Sequence, residues 1–339
     1  MWKIRGQDHI LRQIEPSLKL GQPAHAYLLV GPPHVGKMTL ALDLAQALNC
    51  SDPSPAPCGD CTQCTRIAQG QHADVRVVEI GQGAEDGPTR TVIGINDIKD
   101  VLHQVNLKPY EGKFTVIIFN GAEAMSDEAA NALLKTLEEP PGRVLFLLLT
   151  ADEEALLTTI RSRCRPFRLL PVPKTDIERQ LESEHSSSSE ESERLARLSR
   201  GCLGWAITAG ESPQVLEEHE ARLDRFREVY QAGLDQRFAH ASEIANIFSR
   251  DREAARQVLY SWLRWWRDLL LIKEGSEDYL QNSHRLDDLR LTASGLNTVE
   301  TVDFIKLLLE TLEALDSNAS PRLALEVLML KLPGANVSA

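Results

Sequence analysis

Residues 25–45 read HAYLLVGPPHVGKMTLALDLA, which is an apolar run, a glycine-containing turn and a second apolar run in direct succession. The first run, Ala26 to Val30, is short and predicts a buried strand. The turn from Gly31 to Lys37 has the spacing G-x-x-x-x-G-K, and the residues after it predict a helix. Between a strand and a helix, such a turn presents backbone N–H groups to phosphates, and its lysine reaches the outer ones. The stretch therefore predicts an α/β fold of the P-loop type.

The phosphate loop is predicted to include Gly31, Gly36 and Lys37, but the residue that follows departs from the pattern. The alternative, a glycine-rich turn with an incidental lysine, fits poorly with the flanking strand and helix. A working site needs Ser or Thr after the lysine, because its hydroxyl binds Mg²⁺. Here that residue is Met38, and Thr39 cannot replace it because one helical step rotates a side chain by about 100°. The loop is therefore predicted to be degenerate.

The strand predicted at 114–119 also departs from the pattern, at its end. An acidic residue is expected there to order Mg²⁺ and to polarise water, but the chain continues as Asn120 and Gly121. Glu123 lies two residues further on and is predicted to start or cap the next element. Both departures affect the same ion, on which phosphoryl transfer depends. We therefore expect no ATP hydrolysis by this chain alone, and binding of ATP or ADP is itself in question.

Strand and helix patterns alternate over the first half of the chain. Strands are predicted at 26–30, 73–80, 114–119 and 144–149, and helices at 4–20, 40–45, 95–105 and 127–137. Such alternation predicts a parallel sheet that is covered by helices on both faces. After Leu170 the patterns are helical, and Pro171-Val172-Pro173 is a candidate linker.

Three domains are predicted from this change of pattern: a P-loop domain at 1–170, a small helical domain at 171–212 and a larger helical domain at 213–339. The last of these contains long amphipathic patterns at 254–272, 302–315 and 322–332. Trp262, Trp265 and Trp266 recur at helical spacing among aliphatic residues, which favours core or subunit-interface packing over base stacking.

The composition is that of a globular protein, with 42% hydrophobic and 25% charged residues among 339. No apolar run approaches the roughly 20 residues of a membrane span, and the N-terminus lacks the apolar core of a secretory signal. We therefore expect a cytoplasmic protein with no membrane partner. The formal net charge of −12 argues against a protein that binds DNA on its own, since free-standing DNA binders usually carry a basic excess.

Four of the six cysteines lie close together in the sequence, at Cys50, Cys58, Cys61 and Cys64. Their spacing, C-x₇-C-x₂-C-x₂-C, allows four thiolates to converge on one ion and to close a tetrahedral zinc site. The alternatives are four unconnected cysteines or an iron–sulfur cluster, although nothing else in the sequence suggests redox chemistry. The zinc would be structural, because no position is left open for water.

Four motifs together resemble one family. They are HAYLLVGP at 25–32, NALLKTLEEPP at 131–141, RSRC at 161–164 and SNASPRLALE at 317–326. Over nearly its whole length the chain resembles the AAA+ subunits of the bacterial DNA polymerase III clamp loader. The resemblance implies an AAA+ P-loop domain, a helical lid and an all-α collar that holds the subunits in a ring. It also implies zinc at the four-cysteine segment.

The departures at Met38 and Asn120 favour the delta-prime branch of this family over the gamma/tau branch. Gamma/tau subunits keep Ser or Thr after the lysine and an acidic pair at the third strand. The delta-prime branch has a degraded nucleotide site but keeps the Ser-Arg-Cys motif, as this chain does. In the lid, near residues 201–206, an active subunit usually places an arginine toward the phosphates. Here Gly204 and Trp205 stand instead.

Arg163, in the Ser-Arg-Cys motif, is the residue for which the resemblance implies a catalytic role. It would be an arginine finger that acts in trans, at the nucleotide site of a neighbouring subunit. A short helical stretch is predicted before it, at 153–160. The alternatives are that Arg163 belongs to a solvated basic segment or pairs with a local carboxylate. Glu138 and Glu139 are themselves expected to form local ion pairs.

The resulting hypothesis is a non-hydrolysing clamp-loader subunit, part of the polymerase holoenzyme, that supports loading of the sliding clamp on primed DNA. The implied partners are the gamma/tau and delta subunits, with the clamp and primer–template DNA reached through the complex. Two rivals remain: a gamma/tau-type ATPase that tolerates Met38 and Asn120, and a zinc-stapled DNA-binding adaptor. ATP hydrolysis by the isolated chain would favour the first, and tight, salt-sensitive DNA binding the second.

Overall fold

The computed structural model describes residues 1–52, 56–80, 92–184, 187–317 and 319–333. These residues form two compact units. The N-terminal unit consists of Met1–Ile177 and Gly201–Trp205, and the C-terminal unit consists of the described residues of Glu178–Arg200 and Ala206–Ala339. The division into three domains, with a lid distinct from the collar, stays a prediction.

Five parallel strands form the sheet of the N-terminal unit. They are β1 (Ala26–Val30), β2 (Val75–Glu79), β3 (Thr115–Asn120), β4 (Val144–Thr150) and β5 (Arg165–Arg168). In the order β2-β3-β4-β1-β5, strand β1 lies between β4 and β5, and Leu28 is opposite Leu148 on one side and Pro166 on the other. The predicted α/β fold, a parallel sheet of the AAA+ P-loop type, is confirmed.

Helices pack on both faces of this sheet. They are α1 (Asp8–Lys19), α2 (Lys37–Asn49), α3 (Thr62–Ala68), α4 (Ile95–Val105), α5 (Asp127–Glu138) and α6 (Thr158–Arg161). The side chains of β1 show why both faces are covered, since successive residues of a strand point to opposite faces. Tyr27 and Leu29 join the buried cluster that includes α1 and α2, whereas Ala26, Leu28 and Val30 join the cluster that includes α4 and α5.

Two elements after β4 differ from the expectation. The helical stretch predicted at 153–160 is wrong, because α6 begins only at Thr158. The Asp152 carboxylate accepts the N–H of Glu154 at 2.9 Å, and such a local turn competes with a helix. Strand β5 is absent from the expected elements because Phe167 alone among its four residues is buried, so its sequence carries no strand period.

The segment proposed as a linker is packed inside the N-terminal unit. Val172 is buried, and its N–H donates to the carbonyl oxygen of Gly201 at 2.8 Å. Gly201 has a φ of +84°, and a Cβ added to it would lie 2.4 Å from the Cβ of Pro171. Only glycine fits this approach, which ties Gly201–Trp205 to the N-terminal unit.

The C-terminal unit is helical, and its first and third helices begin in the N-terminal unit. The helices are α7 (Lys174–Glu184), α8 (Ser189–Ser199), α9 (Leu203–Glu211), α10 (Pro213–Gln231), α11 (Leu234–Arg250), α12 (Arg252–Lys273), α13 (Leu286–Ser294), α14 (Thr298–Asp316) and α15 (Pro321–Leu330). Among the described residues, none of the helices combines the length and the apolar character needed to cross a membrane.

Aromatic side chains fill the core of the C-terminal unit. Trp262, Trp265 and Trp266 of α12 are each at most 1% exposed, so the packing interpretation of these tryptophans is confirmed. The ring of Phe226 lies 4.8 Å from that of Trp262, and the ring of Phe304 lies 4.4 Å from that of Trp266. Such contacts stabilise a core beyond the area that they bury.

Candidate functional site

The loop from Gly31 to Gly36 lies at the carboxyl end of β1, where strand order reverses and ligands bind in open α/β sheets. A close backbone approach explains glycine at Gly31, and a left-handed backbone conformation explains it at Gly36. A Cβ added to Gly31 would lie 3.0 Å from the carbonyl oxygen of Leu169. Gly36 precedes α2 with a φ of +107°, and its added Cβ would lie 2.5 Å from Cδ1 of Ile4. The predicted loop is therefore formed, and its shape depends on glycine at each end.

Lys37 and His34 bind groups of the protein itself. The Lys37 ammonium donates to the carbonyl oxygens of Gly31 at 2.5 Å and Pro32 at 3.0 Å. His34 has a φ of +61°, and its carbonyl oxygen accepts the N–H of Gly204 at 3.1 Å. A Cβ added to Gly204 would lie 2.8 Å from that oxygen, so glycine is required there. The apex of the loop is thus fastened to the start of α9.

Neither protein ligand of magnesium is present in its usual place. Met38 is partly buried and packs against the core beneath α2. Asn120 ends β3, and its side-chain amide donates to the Glu79 carboxylate at 3.0 Å. Sequence reasoning missed Glu79, but this carboxylate ends β2, which is three strand spacings, or about 14 Å, from β1.

Glu123 is a second carboxylate near the end of β3. It lies in a single 3₁₀ turn, Ala122–Ala124, and accepts the N–H of Ala151 at 3.3 Å. Glu123, predicted to start or cap the next element, lies inside that element, which Ala122 begins and Gly121 precedes. Ala151 directly follows β4, the neighbour of β1, so Glu123 is a described carboxylate on the same edge of the sheet as the phosphate loop.

Arg163 follows α6 and is held at the surface of the N-terminal unit. Its Nη1 atom donates to the carbonyl oxygen of Thr159 at 2.8 Å and to Oγ of Ser162 at 3.3 Å. Its Nη2 atom forms an ion pair with the Glu138 carboxylate. The next residue, Cys164, is buried, and burial raises the pKa of its thiol to about 12. The arginine side chain nevertheless remains 31% exposed.

Two other arginines of this segment have carboxylate partners of their own. Arg161 pairs with Glu154 at 2.6 Å, and Arg168 pairs with Glu153. Three of the four arginines at 161–168 are therefore held in ion pairs, so the segment is not a uniformly solvated basic stretch. Glu138 does form an ion pair, but not with a local partner as expected, because the pair is with Arg163, 25 positions away. No sequence signal connected these two residues, which are far apart in the chain.

The four clustered cysteines come together as the spacing predicts. The Sγ atom of Cys50 lies 3.4 Å from that of Cys58 and 3.9 Å from that of Cys61. The Sγ atoms of Cys58 and Cys64 are also 3.9 Å apart, and all four lie within 4.8 Å of one another. Four sulfurs at about 2.3 Å from a tetrahedral ion would be about 3.8 Å apart. The cluster could hold a metal ion of this geometry.

Backbone N–H groups orient the thiols of this cluster. Cys61 caps α3 and accepts the N–H of Cys64 at 3.5 Å, while Cys58 accepts the N–H of Cys61 at 3.3 Å. Burial of Cys61 opposes its ionisation, but N–H groups of Ser51 and Cys64 and the neighbouring thiols lower its pKa to about 6. Burial raises the pKa of Cys64. Thiolates are the form that binds metal ions, so the lowered pKa of Cys61 favours metal binding at the cluster.

Polar side chains connect the cysteine cluster with neighbouring segments of the N-terminal unit. Gln46 of α2 donates to the carbonyl oxygen of Cys64 at 2.8 Å, and the Lys113 ammonium donates to that of Cys50 at 2.6 Å. Asn49, at the end of α2, accepts the N–H of Lys113 at 2.8 Å. These bonds connect the cluster with the end of α2 and with the residues that precede β3.

Comparison with protein families and curated sequences finds subunits of DNA polymerase III among the proteins similar to this chain. Residues 6–173 match the family model described as "DNA polymerase III, delta subunit". The tau subunit of DNA polymerase III from Escherichia coli (strain K12) is 39% identical over 211 residues, which are 60% of this chain and 31% of tau. The gamma subunit from Buchnera aphidicola subsp. Schizaphis graminum is 38% identical over 176 residues, 52% of this chain and 46% of gamma. The chain thus spans less than half the length of these relatives.

Solved structures with similar folds are more distant. A DNA polymerase III gamma subunit-related protein from Thermotoga maritima aligns with a TM-score of 0.45 at 20% identity, covering 96% of this chain and 98% of that one. The RuvB Holliday junction branch migration motor of Thermotoga maritima aligns with a TM-score of 0.41 at 18% identity, covering 61% of each chain. At these scores neither likeness carries an argument about function.

Proposed function

Because residues 6–173 belong to the DNA polymerase III delta-type clamp-loader family, with gamma and tau subunits as homologues, we propose that this chain is a non-hydrolysing subunit of delta-prime type. It would join gamma/tau and delta subunits in a hetero-oligomeric loader in the cytoplasm. It would act on the sliding clamp and on primer–template DNA through that complex.

The state of the phosphate loop carries this proposal. Lys37 neutralises the loop's own carbonyl groups, and Met38 offers no oxygen to a magnesium ion. At the end of β3, the Asn120 amide is bound to Glu79. Phosphoryl transfer rests on metal coordination and positioned charge, and both are lacking at the expected residues. We therefore assign the chain a structural part in the loader and not a hydrolytic one.

Arg163 is the residue through which such a subunit would still serve catalysis. A nucleotide at a subunit boundary needs a cation from the neighbour to stabilise the charge on the transferred phosphoryl group. An arginine stays charged and presents a planar fork of donors, which suits this task. Arg163 is partly exposed and its backbone is anchored by buried residues on both sides, Ile160 and Cys164. We propose it as an arginine finger in trans.

The cysteine cluster is proposed as a structural zinc site. Its four sulfur ligands would complete a tetrahedron and leave no position for water, which excludes a hydrolytic part for the ion. The proposal includes no reaction at this site. A zinc ion there would fasten α3 to the end of α2.

A gamma/tau-type ATPase is the second candidate, because the similar curated proteins carry gamma and tau names. Glu123 would then have to support the magnesium ion in place of Asn120. A zinc-stapled DNA adaptor is disfavoured by the net charge of −12. ATP turnover by the isolated chain that is lost in Glu123→Gln would favour the ATPase, and tight, salt-sensitive DNA binding by the isolated chain would favour the adaptor.

The decisive experiment reconstitutes the loader so that the adjoining gamma/tau site is its sole hydrolysis-competent site. Arg163→Ala should leave the chain folded and assembled but slow that site by about 10³-fold or more, the effect of losing an arginine finger. Arg161→Ala is the matched control, since Arg161 is paired with Glu154 in the same segment. Clamp- and DNA-stimulated turnover that is unchanged in Arg163→Ala would remove Arg163 from the mechanism.

A further inference from the structure

The Arg163 guanidinium is held by acceptors from two different elements, and this arrangement points to a further residue. We infer that Glu138, the last residue of α5, is a positioning residue that fixes the plane and direction of Arg163 for a neighbouring nucleotide site. The inference rests on the function proposed above, because Glu138 can position Arg163 for catalysis only if Arg163 acts in trans.

The contacts fix the orientation of the guanidinium. Nη1 is bound by the carbonyl oxygen of Thr159 and by Oγ of Ser162, and Nη2 is bound by Glu138. Because a guanidinium is planar, anchoring two of its nitrogens at different acceptors fixes the plane of the whole group. A long side chain that is fixed beforehand loses less conformational freedom when it engages a phosphate.

The fold, and not a flexible loop, sets the separation of the two residues. Leu137, next to Glu138, is 1% exposed, and Ile160 and Cys164, on either side of Arg163, are also buried. All three belong to one cluster beneath α4 and α5. The carboxylate and the guanidinium are therefore carried by backbone segments that are anchored in the same core.

Stability alone does not account for this pair. The Glu138 side chain is 51% exposed and that of Arg163 is 31% exposed, and ion pairs with such exposure add little to folding stability. The nearby pair of Arg161 and Glu154 connects residues within one short segment before β5. The Glu138–Arg163 pair instead spans α5 and the turn after α6, so its loss should affect the direction of Arg163 more than the fold.

The test uses the reconstituted loader in which only the gamma/tau site adjoining Arg163 can hydrolyse ATP. Glu138→Ala should lower the turnover number of that site by about tenfold, the effect of releasing one long side chain, and leave KM for ATP and the melting temperature unchanged. Glu138→Gln keeps an oxygen that accepts from Nη2 and should restore most of the rate. Glu154→Ala, which frees Arg161 in the same segment, should match the unsubstituted chain.

A double substitution separates positioning from a general structural effect. In an Arg163→Ala chain, adding Glu138→Ala should cause no further loss, because the residue that it orients is gone. A second loss of similar size in the double variant would overturn the inference. Full turnover by Glu138→Ala, when Arg163→Ala has a lowered turnover number, would also overturn it. Full turnover by Arg163→Ala itself would overturn the proposed function instead.

Discussion

Lys37 matches the phosphate-loop motif, yet in this structure its ammonium group binds carbonyl oxygens of the loop itself. The ammonium is shared between the Gly31 and Pro32 carbonyl oxygens, to which it donates at 2.5 Å and 3.0 Å. Charged hydrogen bonds of this kind contribute more than neutral ones. A lysine at this position therefore has a structural use that does not require a nucleotide.

We predict that Lys37→Met destabilises the N-terminal unit without changing any nucleotide response. The loss of two charge-assisted bonds should cost about 1–2 kcal/mol and lower the melting temperature by about 2–8 °C. Scanning calorimetry measures this change, and Lys135→Met on the exposed face of α5 serves as the control. The isolated chain should release no phosphate from ATP, with or without DNA. Turnover that disappears in Lys37→Met would show a working site and contradict the prediction.

At the residue scale, sequence reasoning found the local patterns and missed the long-range partners. Gly31, Gly36 and Lys37 lie within one turn, so their spacing alone fixes how they meet. The partners of Asn120 and Arg163 are 41 and 25 positions away, and the strands and helices between them decide the contact. The sequence alone does not indicate which carboxylate lies near Asn120 or near Arg163 in the folded chain.

At the element scale, long periodic segments were predictable and short edge elements were not. The helix predicted at 95–105 is α4 with the same bounds, and the strand predicted at 26–30 is β1. Strand β5 has exposed residues at three of its four positions, so its pairing with β1 and not its own pattern makes it a strand. The expectation for 153–160 failed for a local reason, because the Asp152 carboxylate accepts the N–H of Glu154 and α6 begins only at Thr158.

The cysteine segment is the element that sequence spacing predicted most directly, and its metal content can be measured. We predict about one zinc per chain under the four-thiolate arrangement, determined by elemental analysis of protein purified without chelators. Cys61→Ser should reduce the zinc content and lower the melting temperature, because α3 would lose its connection through the ion. Cys202→Ser, which alters a buried cysteine outside the cluster, should keep the full zinc content. A chain without metal, or with iron, would contradict the zinc assignment.

At the scale of the whole molecule, the C-terminal unit leaves an apolar stripe exposed. Leu323, Val327 and Leu330 recur along one side of α15 and are 61%, 38% and 56% exposed. The opposite side of the helix is buried, with Leu325 and Leu328 in the core of the unit. A row of exposed aliphatic residues at helical spacing is typical of a surface that another helix covers. In the proposed loader, this stripe would face a neighbouring collar.

The last prediction tests assembly through that stripe. Val327→Glu places a charge in the middle of the stripe, while the residue is exposed enough for the chain to stay folded. Burying an unpaired carboxylate in an apolar interface is costly, so the affinity for the gamma/tau and delta subunits should fall by about 100-fold. Co-purification and size-exclusion chromatography with those subunits measure the loss, and circular dichroism checks the fold. Leu20→Glu, at a leucine that is 75% exposed in the N-terminal unit, is the matched control and should assemble normally. If Val327→Glu also assembles normally, the stripe does not hold the ring, and the collar must contact its neighbours through another face.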